Sequence, residues 1–315
     1  MSKDIMLVSS VPTFMMNDLQ QDYVLHDHAH ILDPEAFTKV TAFVGVGSTS
    51  KVDRKLLSMF PNVKMISIFG VGYDGVDVAA VQEKGIQVTH TPDVLTDDVA
   101  DLAMGLILSI GRRIPQSDKF VRNGDWVSEP FTMTHKVTGS RLGVVGLGRI
   151  GQAIAKRAAA FDMSIAYTGR RAKTNAPFRY YPSASELAAN SDYLVVAVPG
   201  GDDTKNMIGA QVLKALGPKG VVVNIARGSV IDQKALIQAL KDKSIAGAGL
   251  DVFWDEPNID PQFFKLQNVV LTPHNGSNTH ETRRAMADLA LANLKAFFEN
   301  RPLLTLIPEC QSTSV

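Results

Sequence analysis

Four residues in the second half of the chain have side chains suited to binding a carboxylate and moving a proton. Arg227, Asp251 and His274 each follow a short apolar run, and Glu256 lies a few residues beyond Asp251. An arginine fork donates two parallel hydrogen bonds to a carboxylate. A histidine exchanges a proton near neutral pH, and a neighbouring carboxylate fixes its orientation. The pattern indicates acid–base chemistry on a substrate that carries a carboxylate.

A glycine-rich turn predicts a phosphate-binding site earlier in the chain. The stretch Leu142–Gly151 starts as a short apolar strand and turns into a helix through Gly146, Gly148 and Gly151. The first glycine permits a tight turn, the second lets the backbone approach phosphates, and the third lets the helix pack closely on the strand. The N–H groups at the helix N-terminus then face the anion. This fingerprint predicts a bound dinucleotide.

The residues after the next predicted strand, Met163–Thr168, indicate which dinucleotide is bound. An enzyme that uses NAD places Asp or Glu at this strand end to bind the ribose hydroxyls. This chain has no acid there, but Gly169, Arg170 and Arg171. The Thr168 hydroxyl and two guanidiniums suit a 2′-phosphate. We therefore expect NADPH (NADP+), with NADH as a weaker alternative, unless one or both arginines are ordinary surface charges.

Composition excludes several classes of protein. The 315 residues suggest about two domains, and 45% hydrophobic content fills a substantial core. The 32 basic and 32 acidic residues balance without a long basic run, which argues against a nucleic-acid or anionic-membrane partner. No stretch approaches a membrane span, and the first residues read as a strand and not as a signal peptide. The single cysteine, Cys310, fits a reducing cytoplasm.

Three histidines, His26, His28 and His30, are spaced so that a strand would point them to one side, as in some metal sites. The stretch continues into a polar turn at Asp33 and Pro34, and no partner cluster is evident. A solvated strand end explains the spacing, so we predict no metal site.

Short apolar runs alternate with helical segments at the start of the chain, which predicts a parallel sheet. The predicted strands there are Ile5–Ser9, Tyr23–His26, Ala42–Val46, Met65–Phe69 and Ile86–Thr89, and the predicted helices are Lys51–Phe60 and Val76–Lys84. Later strands are predicted at Tyr193–Val198, Val221–Ile225, Ala246–Leu250 and Val269–Thr272, with a last long helix over 279–300. In an open parallel sheet, ligands bind beyond the carboxyl ends of the strands.

The helix predicted at Thr96–Arg113 is apolar nearly all round beyond Asp101, with Thr96 as its cap. Such a helix must be buried on several sides, as in a wedge between domains or a subunit interface. We predict an α/β fold of two lobes, each a parallel sheet flanked by helices. The smaller is a flavodoxin-like substrate-binding domain over 1–96, completed by 284–315, and the larger is a Rossmann dinucleotide-binding domain over 97–283.

In several ordered stretches, the chain resembles the D-2-hydroxyacid dehydrogenase family, and within it the glyoxylate/hydroxypyruvate reductase branch. These stretches are Gly70–Asp77, Thr91–Asp101, Gly146–Gly151, Asn224–Asp232, Gly249–Pro257 and Leu271–Ser277. The resemblance extends over nearly the whole length. It departs at Pro199–Asp203, where many relatives have Pro-Leu-Thr, so we expect a differently shaped lid over the cofactor.

The resemblance implies roles for individual residues. His274 would be the acid/base, Glu256 its orienting partner and Arg227 the substrate anchor. The backbone at Val71 and Gly72 would receive the substrate carboxylate. The predicted cofactor contacts are Thr96, Gly146, Leu147, Gly148, Arg149, Ile150, Gly151, Thr168, Gly169, Arg170, Arg171, Val198, Pro199, Thr204, Ile225, Ala226, Arg227, Asp251, His274 and Gly276.

The resemblance further implies the reaction and the assembly. We expect a cytoplasmic homodimer, paired through the cofactor domains, that reduces a small 2-oxo acid to the D-2-hydroxy acid by hydride transfer while His274 protonates the oxygen. Two alternatives stay open. One is a reductase of larger 2-oxo acids, such as an aromatic pyruvate or 2-ketogluconate, and the other is a dinucleotide-sensing regulatory protein.

Overall fold

Two parallel sheets organise the chain in the computed structural model, which describes residues 3–27, 35–47 and 49–311. One unit comprises 1–95 together with 279–315, and the other comprises 96–278. The boundaries predicted from the sequence lie after 96 and after 283. The second of these would cut the last long helix, whereas the structure divides the chain at Thr279, the N-cap of that helix.

The first unit is built on a sheet of five parallel strands. The strands are β1 (Asp4–Leu7), β2 (Val24–Asp27), β3 (Ala42–Val46), β4 (Met65–Phe69) and β5 (Gln87–Thr89), in the spatial order β2-β1-β3-β4-β5. This is the flavodoxin-like strand order. The helices between them are α1 (Thr13–Asp22), α2 (Ala36–Lys39), α3 (Arg54–Met59) and α4 (Val78–Glu83). Strands β1 and β4 are buried throughout, as expected for strands covered on both faces.

Aspartate side chains set the starts of α3 and α4. Asp53 accepts a hydrogen bond from the N–H of Leu56 at 2.8 Å, and Asp77 accepts one from Ala80 at 2.9 Å. Such a side chain satisfies an N–H group that the helix itself leaves unpaired. The predicted helices began several residues too early, because the chain just before each cap is extended and forms a parallel bridge between positions 52 and 76.

The second unit contains a sheet of seven parallel strands. They are β6 (Arg141–Val145), β7 (Ser164–Thr168), β8 (Arg179–Tyr180), β9 (Tyr193–Val196), β10 (Val221–Asn224), β11 (Gly247–Leu250) and β12 (Val269–Leu271). Their spatial order is β12-β11-β10-β9-β6-β7-β8, so the chain order reverses beside β6. The helices are α5 (Thr96–Gly111), α6 (Ile114–Arg122), α7 (Arg149–Ala159), α8 (Ala184–Ala189), α9 (Ala210–Leu216) and α10 (Gln233–Lys241). This is a doubly wound sheet, and the predicted α/β fold of two parallel sheets is confirmed.

Helix α5 is covered within its own unit, by α7 and by strands β10, β11 and β12. Arg157 on α7 also bonds to Asp97 at 3.0 Å and to Asp101 at 2.5 Å. These contacts bury one side of α5, whereas Leu102, Leu108 and Ile110 stay partly exposed, so the role of this helix in a subunit interface stays a prediction. Thr96 is the first residue of the helix and not its cap.

The chain returns to the first unit with α11 (His280–Phe298), which packs on β4. The Ser67 hydroxyl donates to the carbonyl of Ala290 at 3.3 Å. Farther along the helix, the buried Asn293 accepts from the N–H of Leu304 at 2.9 Å and donates to the Thr305 hydroxyl at 2.9 Å. These bonds attach the C-terminal segment to the helix. Over the described ranges, no helix has both the length and the apolar character needed to cross a membrane.

The first of the three spaced histidines bonds within the first sheet. Nε2 of His26 on β2 lies 2.8 Å from Oδ1 of Asp4 on β1. His28 and His30 lie outside the described residues. Among residues 3–27, 35–47 and 49–311, no group of three or more His, Cys, Asp or Glu side chains is placed to hold a metal ion.

Candidate active site

The polar residues predicted to do chemistry in the second unit follow strands that lie side by side. Strand β10 leads to Arg227, β11 leads to Asp251 and Glu256, and β12 leads to His274. These strands are parallel neighbours, so their carboxyl ends share one edge of the sheet. That edge is where doubly wound folds bind ligands.

His274 and Glu256 form a direct pair at this edge. Nδ1 of His274 lies 2.6 Å from Oε2 of Glu256, and the other carboxylate oxygen accepts the backbone N–H of Phe253 at 2.8 Å. The side chains remain 39% and 28% exposed. Because the carboxylate occupies Nδ1, Nε2 is the ring nitrogen that can exchange a proton with a substrate.

The environment of Glu256 keeps its carboxyl ionised. Burial raises the pKa of Glu256, but the hydrogen bonds from His274 and Phe253 and the charge of Arg227 outweigh burial, and the pKa lies below its usual range. The stability that the ionised Glu256 contributes is therefore fully present above the usual pKa range of a glutamate. It is lost only as the pH falls through the lower pKa that Glu256 has in the folded protein. A fixed negative charge next to an imidazole favours its protonated form.

Replacing Glu256 by glutamine tests this pair. The variant keeps the shape but loses the negative charge beside the imidazole, so the protonated ring is less stabilised before it donates its proton. We expect kcat for carbonyl reduction to fall by about tenfold or more. The matched control is Asp255→Asn, which removes an exposed negative charge one residue away. An unchanged kcat in Glu256→Gln would remove Glu256 from the proton-transfer machinery.

Asp251 holds the turn that carries His274. Its carboxylate, in a residue only 1% exposed, accepts hydrogen bonds from the Thr272 hydroxyl at 2.6 Å and from the N–H groups of Asn275 at 2.6 Å and Gly276 at 2.9 Å. Burial raises the pKa of Asp251, against the opposing effect of these donors. His274 has φ of +53°, a conformation that few non-glycine residues adopt, and its N–H bonds to the Asp251 carbonyl at 2.9 Å. The predicted contact of Asp251 with the cofactor stays a prediction.

Asn224, the last residue of β10, holds the segment that carries Arg227. Its side chain donates to the Arg227 carbonyl at 2.9 Å and accepts from the N–H of Ala226 at 3.0 Å. Arg227 Nη1 donates to the Ala226 carbonyl at 2.8 Å. Neither Asn224 nor Thr272 was predicted from the sequence to belong to the site. The one feature of the sequence that could have indicated them is a polar residue at the end of an apolar strand.

The fingerprint turn has the backbone that a dinucleotide site needs. Gly146 has φ of +96°, and a Cβ there would lie 2.7 Å from a Val198 methyl. A Cβ at Gly151 would lie 2.1 Å from the Gly146 carbonyl oxygen, so helix α7 packs directly on the turn. Gly148, the N-cap of α7, has open space around its Cβ position and supplies no side-chain cap. The N–H groups in the first turn of α7 therefore fit a phosphate.

The end of β7 lies beside this turn. The N–H of Gly146 donates to the Thr168 carbonyl at 2.9 Å, and Gly169 is held by a hydrogen bond of 3.2 Å from the Tyr180 hydroxyl. Arg170 and Arg171 follow and are exposed. Both arginines therefore follow the strand end that adjoins the predicted phosphate-binding turn, where a 2′-phosphate is expected.

The other predicted cofactor residues of the second unit also lie at strand ends or at the starts of helices. They are Val198 and Pro199 after β9, Ile225 and Ala226 after β10, Gly276 after β12, Thr96 at the start of α5, Thr204 in the turn before α9, and Leu147, Arg149 and Ile150 in the fingerprint. The Thr204 hydroxyl donates to the carbonyls of Pro199 at 2.7 Å and Gly201 at 3.2 Å. These bonds close Pro199–Asp203 into a tight turn. Contact with a cofactor stays a prediction for each residue.

Val71 and Gly72 belong to the first unit and follow β4. Nδ1 of His90 lies 2.9 Å from the Val71 carbonyl oxygen, and the N–H of Gly70 donates to the Thr91 hydroxyl at 3.0 Å. The chain after β5 therefore fixes the backbone that is predicted to receive a carboxylate. His90 is buried, and no motif in the sequence points to this contact.

Comparison with known proteins agrees with this geometry. The family described as D-isomer specific 2-hydroxyacid dehydrogenase, NAD binding domain, matches residues 104–276. Hydroxyphenylpyruvate reductase of Plectranthus scutellarioides is 51% identical over 266 residues, which are 84% of this chain and 85% of that protein. Glyoxylate/hydroxypyruvate reductase A of Arabidopsis thaliana is 44% identical over 306 residues, covering 96% and 97% of the two chains.

Solved structures give the same result. The NADPH-dependent glyoxylate/hydroxypyruvate reductase of Sinorhizobium meliloti, in complex with NADP and malonate, has a TM-score of 0.93 and 40% sequence identity and covers 98% of both chains. The resemblance seen in the sequence is confirmed, and the chain belongs to the D-isomer specific 2-hydroxyacid dehydrogenase family.

Proposed function

We propose that the protein is an NADPH-dependent reductase of small 2-oxo acids of the glyoxylate and hydroxypyruvate type. The observation that carries the proposal is the His274–Glu256 pair, 2.6 Å apart, at the sheet edge where the fingerprint turn also lies. The absence of an acid after β7, with two arginines in its place, supports NADPH. When bound, the nicotinamide supplies the hydride that adds to the keto carbon.

The side chains of this protein handle the proton and the carboxylate. His274 donates the Nε2 proton to the carbonyl oxygen, and Glu256 stabilises the protonated ring before that transfer. Arg227 binds the substrate carboxylate through its fork. For the backbone N–H groups at Val71 and Gly72 we propose, as the family resemblance implies, that they donate hydrogen bonds to a substrate carboxylate. The product is a 2-hydroxy acid, for which we propose the D configuration from the family description.

Larger 2-oxo acids are the second candidate substrates. The relative with 51% identity is named for hydroxyphenylpyruvate. Trp254, two residues before Glu256, is held by a hydrogen bond of 2.8 Å from Nε1 to the Ile231 carbonyl, and much of its ring is exposed. A fixed aromatic surface near the proton donor suits an aromatic side chain on the substrate.

A single spectrophotometric panel tests both candidates. Glyoxylate, hydroxypyruvate, phenylpyruvate and 2-ketogluconate are each assayed with NADPH and with NADH, and the product is resolved by chiral chromatography. We expect the highest kcat/KM for glyoxylate or hydroxypyruvate with NADPH. A higher value for phenylpyruvate or 2-ketogluconate would establish the second candidate. Failure of all four substrates to oxidise either cofactor would overturn the proposed function.

We propose that the enzyme is a cytoplasmic homodimer. Large apolar side chains are exposed between α6 and β6, among them Val127 and Met133, each 95% exposed, and Trp126. Clustered exposed apolar groups are typical of surfaces that another protein covers. The single cysteine suits a reducing compartment. Light scattering on the purified protein gives the mass that distinguishes one copy from two.

A further inference from the structure

Arg283 on α11 is a cation in a desolvating environment. Its guanidinium carbon lies 5.4 Å from the ring centroid of Phe69, a residue only 1% exposed. Its Nε is buried and has no hydrogen-bond partner among the described residues. Burial lowers the pKa of Arg283, and no acidic side chain within 3–27, 35–47 and 49–311 counteracts it. A partly buried charge without an anion costs free energy, and the first turn of a helix also disfavours a cation.

Contacts along α11 show where this cation lies. Ala290 bonds to Ser67, and Arg283, seven residues earlier on the helix, covers Phe69, two residues later on β4. The helix therefore runs antiparallel to the strand. Seven helical residues rise about 10 Å whereas two strand residues rise about 7 Å, so the first turn of α11 reaches the carboxyl end of β4. At that end the chain continues into Gly70–Gly72.

We propose that Arg283 is a substrate-binding residue that pairs with the carboxylate of the 2-oxo acid held at Val71 and Gly72. This inference rests on the proposed function. A carboxylate has about four lone-pair positions, so one carboxylate can accept hydrogen bonds from backbone N–H groups and from a guanidinium at the same time. The bound anion then supplies the counter-charge that the part of the chain described by the structure does not give Arg283.

Arg284, the next residue, provides a matched comparison on the same helix. It pairs with Asp18 at 2.7 Å and with Asp288, and its side chain is 44% exposed. Arg284 is thus neutralised at the surface, whereas Arg283 faces the strand. Loss of such a surface pair has little effect on stability.

The test compares Arg283→Met and Arg283→Lys with Arg284→Met in the full-length enzyme at saturating NADPH. For Arg283→Met we expect KM for glyoxylate to rise by about tenfold to a hundredfold, with kcat changed by less than about threefold, because a charged contact present in ground and transition states is lost. The inhibition constant of oxalate should rise by a similar factor. Arg283→Lys should recover part of the loss, and Arg284→Met should match the wild type.

Other results of the same experiment would contradict the proposed role of Arg283. Equal KM values in the Met variants at positions 283 and 284 would mean that Arg283 only packs on Phe69. If Arg283→Met does not fold, Arg283→Lys decides alone: a KM several-fold above the wild type supports the proposal, and an unchanged KM overturns it. A wild type that reduces no 2-oxo acid would overturn the proposed function, whereas an active wild type with unaffected Arg283 variants would overturn this inference only.

Discussion

Replacing His274 by alanine is expected to lower turnover by about a hundredfold to ten-thousandfold and to leave NADPH affinity nearly unchanged. The ring is the proton donor in the proposed reaction, and its Nδ1 is bonded to Glu256 at 2.6 Å. Without it, the oxyanion that forms as hydride adds must take its proton from water. In the proposed binding mode, the affinity for NADPH depends mainly on the fingerprint turn and the end of β7, which the substitution leaves in place.

A second variant separates chemistry from backbone strain. His274 has φ of +53°, and asparagine adopts this conformation more readily than alanine. His274→Asn should therefore fold at least as well as His274→Ala and still lose turnover. His135→Ala, which removes an exposed histidine of the same unit, is the control. Steady-state kcat, together with fluorescence titration of NADPH, measures both quantities. Turnover within about tenfold of the wild type in both His274 variants would exclude it as the proton donor.

The site residues that follow the ends of strands could be predicted from the sequence. Apolar runs that each stop at a polar residue locate Arg227, Asp251 and His274, and in a parallel sheet such ends meet at one edge. The start of α3 was misplaced because an apolar residue at 52 reads as helical, although it pairs with another strand segment and Asp53 caps the helix.

Contacts between distant segments could not be predicted. The carboxylate of Asp251 fixes the left-handed turn at His274, and His90 contacts the Val71 carbonyl. No local pattern encodes either bond, because each depends on how neighbouring strands align. The burial of α5 was expected, but its partners, α7 and the adjacent strands, are known only from the packing of the sheet.

Removing Arg170 and Arg171 together is expected to abolish the preference for NADPH. A charge-assisted hydrogen bond contributes about 1.5–3 kcal/mol, so loss of the arginine that meets the 2′-phosphate weakens NADPH by about tenfold to a hundredfold. NADH has no phosphate at that position and should be little affected. Thr168 contributes less than either arginine, because its hydroxyl is neutral. We expect Arg170 to make the stronger contact.

The measurement is the ratio of kcat/KM for NADPH to kcat/KM for NADH in Arg170→Ala, Arg171→Ala and the double variant. Arg122→Ala is the control, since Arg122 is an exposed arginine of the same unit that pairs with Asp118 at 2.8 Å on α6. It should leave the ratio unchanged. Arg170 and Arg171 follow β7, whose last residue, Thr168, accepts a hydrogen bond from the N–H of Gly146. They therefore adjoin the predicted phosphate-binding turn, whereas Arg122 lies on α6. If the wild type prefers NADH, or if the double variant keeps the original ratio, the two arginines are surface charges and another part of the site selects the cofactor.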